Sequence, residues 1–357
     1  MPFIKQEVEH GADGLPVSFD CLHSLATALP PHSWTQAEFW GSIRGSNVLI
    51  GLKPRSQLLL EKVLLGSNGI DTRYVAADRL EDVFHSPARQ LNETFEREAT
   101  MLGAEALRRA MSQAEVGTVD ALFICTCTGY LCPGLSSHVA EAMGLSPETY
   151  LMDVIGAGCG AALPTLRAAC NYLKEHPTHR AAIIAVEICS AAFYISDDPG
   201  VLISLCLFGD GAAALVLDGE DVRCNDLHFS GFSTLHLPEH REKVRFVNRD
   251  GKLCNQLHRD VPEVAAQSVR TLHERDNLPA HHAITHAGGR DVLGAINSLL
   301  PQHCLAEAHA VLQRYGNMSS PSVFFALERA LSQGSTPPFW VTSFGAGFTC
   351  HSCTLER

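Results

Sequence analysis

The sequence predicts an α/β protein made of two similar halves in tandem. Apolar runs such as Ala181–Val186 have the length and composition of strands that are buried on both faces. A helix–strand–helix–strand pattern also occurs twice, with matching distances between its landmarks. Cys127 and Cys159 are 32 residues apart, and His286 and Asn317 are 31 residues apart. Strands that alternate with helices are typical of α/β folds.

The first copy of the pattern begins with a helix. Glu96–Ala114 has small or apolar residues at helical spacing, and the apolar run Ala121–Thr126 follows as a strand. Leu151–Ile155 predicts the next strand, which leads into the glycine-rich turn Gly156–Ala161 and an apolar helix. Ala182–Val186 then supplies the third strand of this copy.

The second copy has the same order of elements. Val264–Leu272 predicts a helix and Ala283–His286 a strand that is followed by glycines. Tyr315–Ser320 corresponds to the glycine-rich turn of the first copy and leads into the helical stretch Ser322–Leu331. Phe339–Phe344 is the last strand.

The composition of the chain changes near residue 220. The apolar run 211–217 is followed by a polar stretch over 218–226. We therefore predict an N-terminal tail over 1–20, an N-terminal half over 21–220 and a C-terminal half over 221–357.

Composition and charge exclude several classes of protein. Hydrophobic residues make up 46% and charged residues 18%, which is unlike a disordered chain. Acidic residues outnumber basic ones, 39 to 27, so the net charge of −12 argues against nucleic acid or an anionic membrane as partner. The 13 cysteines are an odd number, and residues 1–18 lack an export signal. We expect a soluble cytoplasmic protein with free thiols and no disulfides.

The turn Gly156–Ala161 carries the clearest candidate for chemistry. It can be read as the GxGxxA turn of a dinucleotide-binding enzyme. It can also be read as a tight turn that presents a nucleophile, Cys159, at the start of a helix. The helix N-terminus favours a thiolate and lowers the pKa of the thiol. A small buried cysteine in a structural turn is the third interpretation.

Two residues of the second half accompany this turn. His286 ends a predicted strand and is followed by glycines, where α/β folds place their sites, although a lone histidine is commonly structural. Asn317 alone would be interpreted as a helix cap. The repeat favours a functional interpretation, because it places Asn317 at the turn equivalent to that of Cys159. Two related halves would bring the three residues to one cleft.

Other cysteines and one aromatic residue have simpler interpretations. Cys350 and Cys353 have the CxxC spacing of half a zinc site, but an extended strand points them to opposite faces, so we predict no metal site. Cys125 and Cys127 share one strand face and fit the lining of a pocket. Phe208, in the motif LFGDG, is assigned to the core by default.

These motifs together resemble the type III polyketide synthases, the chalcone-synthase-like enzymes of the thiolase superfamily. The matching stretches run from about residue 22 to the C-terminus: GCGAAL at 158–163, LFGDGAAALVL at 207–217, HAGGRDVL at 286–293, RYGNMSS at 314–320 and FGAGFT at 344–349. The resemblance implies a thiolase-like, five-layered αβαβα fold made of two pseudo-duplicated halves. It implies Cys159 as nucleophile, with His286 and Asn317 completing the triad.

The resemblance also implies a reaction and its partners. An acyl-CoA starter is loaded on Cys159, extended by decarboxylative condensation with malonyl-CoA, and cyclised to a pyrone or a resorcinol- or phloroglucinol-type product. It implies a homodimer and no cofactor or metal beyond the CoA thioester substrates. Further positions match cavity or substrate-binding residues of the family: Phe208 and Cys254 as gatekeepers, Cys132 as the residue that reaches into the partner's cavity, and Cys127, Ala192, Arg245 and Ser319 as cavity lining.

The chain departs from the family pattern at places that bear on substrates. Prolines of the family are replaced by Ala287 and Ala346, and the basic cluster that binds CoA is reduced to Arg73 and Lys62. Arg290, just after HAGG, is expected to contribute to CoA binding. Cys254 in place of phenylalanine, with Ala192, predicts a wider cavity and a medium or long aliphatic starter. The alternatives are a synthase that uses malonyl-CoA alone or a short starter, an NAD(P)-binding oxidoreductase that uses Gly156–Ala161, and a thiolase-fold scaffold without activity.

Overall fold

The computed structural model describes residues 20–219, 227–277 and 282–357. Within these ranges the strands are β1 (Asp20–Ala28), β2 (Ser33–Thr35), β3 (Thr72–Tyr74), β4 (Ala121–Thr126), β5 (Tyr150–Ile155), β6 (Arg180–Glu187), β7 (Gly211–Gly219), β8 (His228–His236), β9 (Val244–Arg249), β10 (Lys252–Leu257), β11 (His282–Thr285), β12 (Phe339–Gly345) and β13 (Thr349–Glu356). The α-helices are α1 (Gln36–Gly45), α2 (Pro54–Leu65), α3 (Leu80–His85), α4 (Ala88–Gln113), α5 (Leu135–Met143), α6 (Ala162–Glu175), α7 (Pro199–Leu207), α8 (Val261–Asp276), α9 (Arg290–Leu299), α10 (Ala306–Tyr315) and α11 (Ser322–Ser332). The predicted boundary at residue 220, and all but the last residue of the predicted tail, lie outside the described residues.

Most of the strands form two sheets with the same internal pattern. The first has the order β5-β4-β6-β7-β1 and the second the order β11-β12-β13-β8, and one residue pair, Cys21 with His228, joins them. In the first sheet β4 is parallel to β6, while β7 and β1 continue antiparallel. In the second, β11 is parallel to β12, while β13 and β8 continue antiparallel. The predicted repeat is therefore present in the order and direction of the strands.

The helices complete five layers. Helix α4 packs against β1, β6 and β7 on the outer face of the first sheet, and α8 packs against β8, β12 and β13 on the outer face of the second. Helices α6 and α11 each contact strands of both sheets and so form the central layer. The predicted αβαβα fold is confirmed. No helix of the described residues is long and apolar enough to cross a membrane.

The central layers explain why strand β6 is apolar at nearly every position. All its residues after Arg180 are buried, and the apolar ones alternate between the two cores. Ile183 packs in the core that contains α6, and Ile184 packs in the core that contains α4. Both faces of a strand between two helical layers are buried. Its sequence therefore lacks the alternation of apolar and polar residues that a half-exposed strand shows.

The two halves differ at the edge of the first sheet. Strand β5 has no counterpart strand in the second half, where the equivalent segment makes a single β-bridge between Asn317 and Phe208. Strand β5 is the outermost strand of its sheet, and Tyr150, Leu151 and Ile155 are exposed on it.

A separate hairpin, β9–β10, lies beside helix α7. Its strands are joined by the two residues Asp250 and Gly251, both with positive φ (52° and 75°). Two residues in the left-handed region are what a type I′ turn requires, and such a turn fixes the register of the strands it joins.

The cysteines are not all free. Cys21, at the start of β1, is disulfide-bonded, so the prediction of no disulfides is wrong at this position. The other cysteines of the described residues are not disulfide-bonded. Several are fully buried among apolar side chains, among them Cys125, Cys170 and Cys350.

Candidate active site

Cys159 lies where strand β5 turns into helix α6. The chain turns at Gly156 (φ 91°) and Gly158 (φ 59°), and both φ values lie in the left-handed region that favours glycine. Cys159 itself sits in a short 3₁₀ turn over Gly158–Gly160, directly before α6. The glycine spacing of the motif thus places one side chain at the N-terminus of a central helix.

Backbone from the second half covers this turn. Gly345, the last residue of β12, packs so closely that a Cβ there would stand 2.3 Å from the backbone nitrogen of Gly160 and 2.9 Å from that of Cys159. A dinucleotide needs the glycine backbone of such a turn to be open to its pyrophosphate. The packing therefore contradicts the alternative interpretation of Gly156–Ala161 as a dinucleotide-binding turn.

Ser319 connects Cys159 to the residues around it. Its Oγ donates to Cys159 Sγ at 3.2 Å and lies 3.2 Å from Cys127 Sγ. Burial is the largest cause that raises the pKa of the Cys159 thiol to about 12, and the carboxylate of Glu187 raises it further. The helix N-terminus predicts a lowered pKa, but desolvation outweighs it in the empty site. Burial thus favours the thiol form of Cys159 over the thiolate in the empty site.

Glu187 is a site residue that the sequence analysis missed. It ends β6 and is fully buried. One carboxylate oxygen accepts from the backbone nitrogens of Cys127 (2.9 Å) and Thr128 (3.1 Å), and the other accepts from Ser320 Oγ (2.6 Å) and Ser319 Oγ (3.4 Å). Burial raises the pKa of this carboxyl despite these bonds. The sequence holds one signal for it, a single acid that ends an otherwise apolar strand.

His286 directly follows β11, and its ring lies against the strand whose last residue packs on the turn of Cys159. Its backbone nitrogen donates to Thr342 O of β12, and its ring packs edge-on against Phe344, 5.3 Å between ring centroids. Phe344 directly precedes Gly345, which touches the backbone of Cys159. Burial lowers the pKa of His286 to about 3, and its Nδ1 is buried without a partner among the described residues. Burial thus favours the neutral form of the His286 imidazole in the empty site.

Asn317 has a fixed amide orientation. Its Oδ1 accepts from the backbone nitrogen of Ser319 at 2.8 Å, and its Nδ2 donates to Gly288 O at 3.2 Å. Because the oxygen is held by the turn, the NH₂ group is directed toward the loop that follows His286. One of its two hydrogens stays available to a ligand.

Phe208 is anchored to Asn317 and to a buried arginine. Its carbonyl oxygen accepts from Arg73 Nη1 at 2.7 Å, and Arg73 also donates to Leu205 O at 2.7 Å. The guanidinium stacks on Phe39, with 3.6 Å to the ring centroid, and has no exposed surface. Arg73 is thus unavailable to CoA, and its predicted role in substrate binding is wrong. Arg73 instead has a structural role, because its hydrogen bonds to Leu205 O and Phe208 O stabilise the C-terminal end of α7.

One cavity opens at Cys159. Its lining comprises Cys127, Thr128, Gly158, Cys159, Cys189, Ala192, Phe193, Ser204, Phe208, Val244, Arg245, Phe246, Asn255, Ser319 and Ala346. The predicted lining residues Cys127, Ala192, Phe208 and Ser319 are all among them. The cavity has a volume of about 30 Å³, which is room for about two water molecules. The cavity is therefore narrow in the empty protein.

The hairpin contributes a residue other than the one predicted. Phe246 and Asn255 are paired across β9 and β10 and both line the cavity. Successive side chains of a strand point to opposite faces, so Cys254, paired with Val247, faces away. The assignment of Cys254 to the cavity is wrong by one residue. Arg245 borders the cavity, but its Nε bonds Gln256 Oε1 at 3.2 Å.

The remaining predicted residues lie on the surface. Cys132 is exposed in the loop after β4 and is absent from the cavity lining. Arg290 begins helix α9, half-exposed, where it pairs with Asp291 and donates to Ser67 O in the loop after α2. Lys62 is exposed in the last turn of α2, close to the same loop. The two cations thus flank one surface loop.

Comparison with known proteins agrees with this architecture. The sequence profile described as "FAE1/Type III polyketide synthase-like protein" matches residues 55–273. The chain is 26% identical to the 1,3,6,8-tetrahydroxynaphthalene synthase of Streptomyces griseus, over 91% of this chain and 89% of that protein. It is 29% identical to the α-pyrone synthesis polyketide synthase-like Pks18 of Mycobacterium tuberculosis, over 96% and 92%. A third relative, 3,5-dihydroxyphenylacetyl-CoA synthase of Streptomyces toyocaensis, is 29% identical over 67% of this chain and 66% of its own length.

Solved structures share the fold. PKS-I of the brown alga Ectocarpus siliculosus superposes with a TM-score of 0.84 over 95% of this chain and 98% of that one, at 23% identity. The tetrahydroxynaphthalene synthase of Streptomyces coelicolor gives a TM-score of 0.81 over 94% and 98%, at 24% identity. The family profile covers more than half of the sequence. The chain therefore belongs to the FAE1/type III polyketide synthase-like family and is a polyketide synthase.

Proposed function

We propose that this polyketide synthase loads an acyl group from CoA on Cys159 and extends it with malonyl-CoA. The observation that carries the proposal is the position of Cys159. It is the thiol at the start of a central helix, at a narrow cavity that residues of both halves line. A site from which water is excluded protects a thioester intermediate from hydrolysis.

Loading begins from two neutral groups. Burial disfavours the charged form of both Cys159 and His286, so we infer that loading starts from the thiol and the neutral imidazole. As the sulfur attacks the thioester carbon, His286 accepts the thiol proton, the bond from that carbon to the sulfur of CoA breaks, and CoA leaves as the thiol with the same proton. The acyl group is then held by Cys159 as a thioester.

Extension needs hydrogen-bond donors at a developing negative charge. Loss of CO₂ from malonyl-CoA leaves an electron pair that is delocalised onto the thioester oxygen. The oriented NH₂ group of Asn317 and the ring of His286 are the donors we assign to that oxygen. The carbanion attacks the acyl carbon on Cys159, forms the new carbon–carbon bond and releases the thiolate, and further cycles precede cyclisation.

Mass spectrometry of the intact enzyme tests these assignments. Incubation with acyl-CoAs should add the mass of one acyl group to the wild type and none to Cys159→Ala. Asn317→Ala should still load the acyl group but lose extension by about 10²- to 10³-fold, the effect of removing one oxyanion donor. Acylation of Cys159→Ala at the wild-type rate would contradict the choice of nucleophile.

A separate experiment tests which acyl-CoA the enzyme accepts as its starter. The expected aliphatic starter depended on Cys254 and Ala192 widening the cavity, and only Ala192 lines it. A ladder of acyl-CoAs of increasing length, each with malonyl-CoA, distinguishes the candidates. Activity that rises with chain length supports an aliphatic starter, and activity with malonyl-CoA alone supports the malonyl-only alternative. The CoA thioesters are proposed as the sole small molecules required.

CoA binding is proposed at the loop between α2 and β3. Lys62 and Arg290 lie on either side of that loop, and both are exposed. The N-terminus of α9, which Arg290 begins, adds unpaired backbone N–H groups that favour phosphate. Lys62→Ala and Arg290→Ala should each raise the KM for acyl-CoA while kcat stays near wild type.

We also propose a homodimer formed at the edge of the first sheet. The outermost strand β5 exposes Tyr150, Leu151 and Ile155, and an exposed apolar edge strand favours pairing with another chain. Cys132, exposed nearby in sequence, is proposed to reach the partner's cavity. Leu151→Lys should shift sedimentation from dimer to monomer, and an unchanged sedimentation coefficient would contradict this interface. The cytoplasmic location stays a prediction from the sequence.

A further inference from the structure

Asn255 is a buried amide without a hydrogen-bond partner. Its side chain is 8% exposed, and neither amide atom bonds to another group of the described residues. Burying an unpaired amide is unfavourable, so such groups generally have a partner when the protein is at work. The amide atoms of Asn255 are not fully enclosed by the protein. The amide therefore still borders open space. That space is the cavity of Cys159.

The register of the hairpin directs Asn255 into the cavity. Phe246, directly opposite on β9, lines the cavity as well, and Val244, two residues before Phe246, does too. The type I′ turn of Asp250 and Gly251 holds this register. Because a shift of one residue would reverse the faces, the direction of Asn255 is a consequence of the turn.

The other hydroxyl donors of the lining are already in use. Ser204 Oγ donates to Val201 O at 2.9 Å, and Thr128 Oγ1 donates to Glu187 at 2.9 Å. Ser319 Oγ donates to Cys159. Arg245 also lines the cavity, but its guanidinium bonds Gln256 and pairs with Glu242. Among the uncharged cavity-lining side chains, the carboxamide of Asn255 is therefore the donor without a partner.

We propose that Asn255 donates a hydrogen bond to a ketone oxygen of the growing polyketide chain and so determines how far the chain is extended. The proposal rests on the proposed function, in which each condensation adds one carbonyl group to the bound chain. A ketone accepts hydrogen bonds only, and the amide NH₂ supplies the matching donor. An aliphatic starter offers no such acceptor, so Asn255 recognises extended intermediates and leaves starter loading unaffected.

Two variants of different size separate hydrogen bonding from shape. Asn255→Leu keeps the branched shape of the side chain at a somewhat larger volume, Asn255→Ala removes most of the side chain, and both remove the donor. With an accepted acyl-CoA and malonyl-CoA, both variants should lower the ratio of fully extended product to early-released shorter products by about tenfold, the effect of one lost hydrogen bond. Products are measured by liquid chromatography and mass spectrometry.

A carboxamide on the protein surface provides a matched control. Gln267→Leu removes a carboxamide from the exposed face of helix α8, where it bonds Glu263. It should leave the product ratio unchanged. Acyl loading on Cys159, measured by intact mass, should equal wild type in all three variants, and thermal unfolding shows which of them fold.

Each outcome has one meaning. A wild-type product ratio in both Asn255 variants, with normal loading, overturns the proposal. A ratio that changes in the alanine variant and stays normal in the leucine variant also overturns it, because volume alone would then explain the effect. Absence of acyl loading in the wild type contradicts the proposed function, and that result is separate from the role of Asn255.

Discussion

Gly345→Ala tests whether the second half positions the nucleophile of the first. Gly345 ends β12 and meets the backbone of the turn that carries Cys159. An added Cβ would stand 2.3 Å from Gly160 N, 2.5 Å from Ala157 O and 2.9 Å from Cys159 N. All three neighbours are backbone atoms of a tight turn, so no flexible side chain can move aside.

The expected displacement follows from these distances. Ordinary contacts of a Cβ begin at 3.4 Å, whereas the closest contact here would be 2.3 Å. The turn or the strand must therefore retreat by about 1 Å. A misplacement of this size at a reacting group costs about 10²-fold in rate. We expect acyl loading on Cys159 to fall by about that factor, while the protein remains folded at a lower melting temperature.

The assay is the initial rate of acyl-enzyme formation, followed by intact mass. The matched control is Gly294→Ala in helix α9, where an added Cβ has no atom within 4 Å. That variant should load at the wild-type rate and melt at or slightly above the wild-type temperature, since alanine is favoured in helices. A Gly345→Ala enzyme that folds and loads within threefold of wild type would refute the reasoning.

Three further predictions concern charge in the site. In the empty enzyme, alkylation of Cys159 by iodoacetamide should rise with each pH unit from 6 to 9 without a plateau, because burial raises the pKa of the thiol to about 12; a plateau below pH 8 would contradict this. Glu187→Gln should speed alkylation at pH 8 and Ser319→Ala should slow it, because the carboxylate raises and the hydroxyl lowers the pKa of Cys159; the reverse order of rates would refute both assignments. Arg73→Met should lower the free energy of unfolding by about 3–5 kcal/mol, since it leaves buried oxygens without their donor, and urea denaturation showing a loss below about 1 kcal/mol would count against this role.

The sequence alone determined the fold class, because its signals are local. An apolar run that is buried on both faces and glycines that permit a left-handed turn are properties of a few consecutive residues. The internal repeat then indicated that the two halves are related. On that basis we predicted that Cys159, His286 and Asn317 belong to one site. These three remain assignments until they are tested, but the structure places their elements side by side.

Tertiary structure decided what depends on direction and burial. Cys254 and Asn255 are adjacent, and only the register of a hairpin tells which of them faces the cavity, since one residue reverses the face. Arg73 looks like a ligand-binding cation until the packing of α1 and α7 around it is known. Glu187 owes its place in the site to Ser319 and Ser320, which are more than 130 residues away along the chain. Local patterns fix elements, whereas the partners of a buried polar group are set by contacts between elements that no single segment contains.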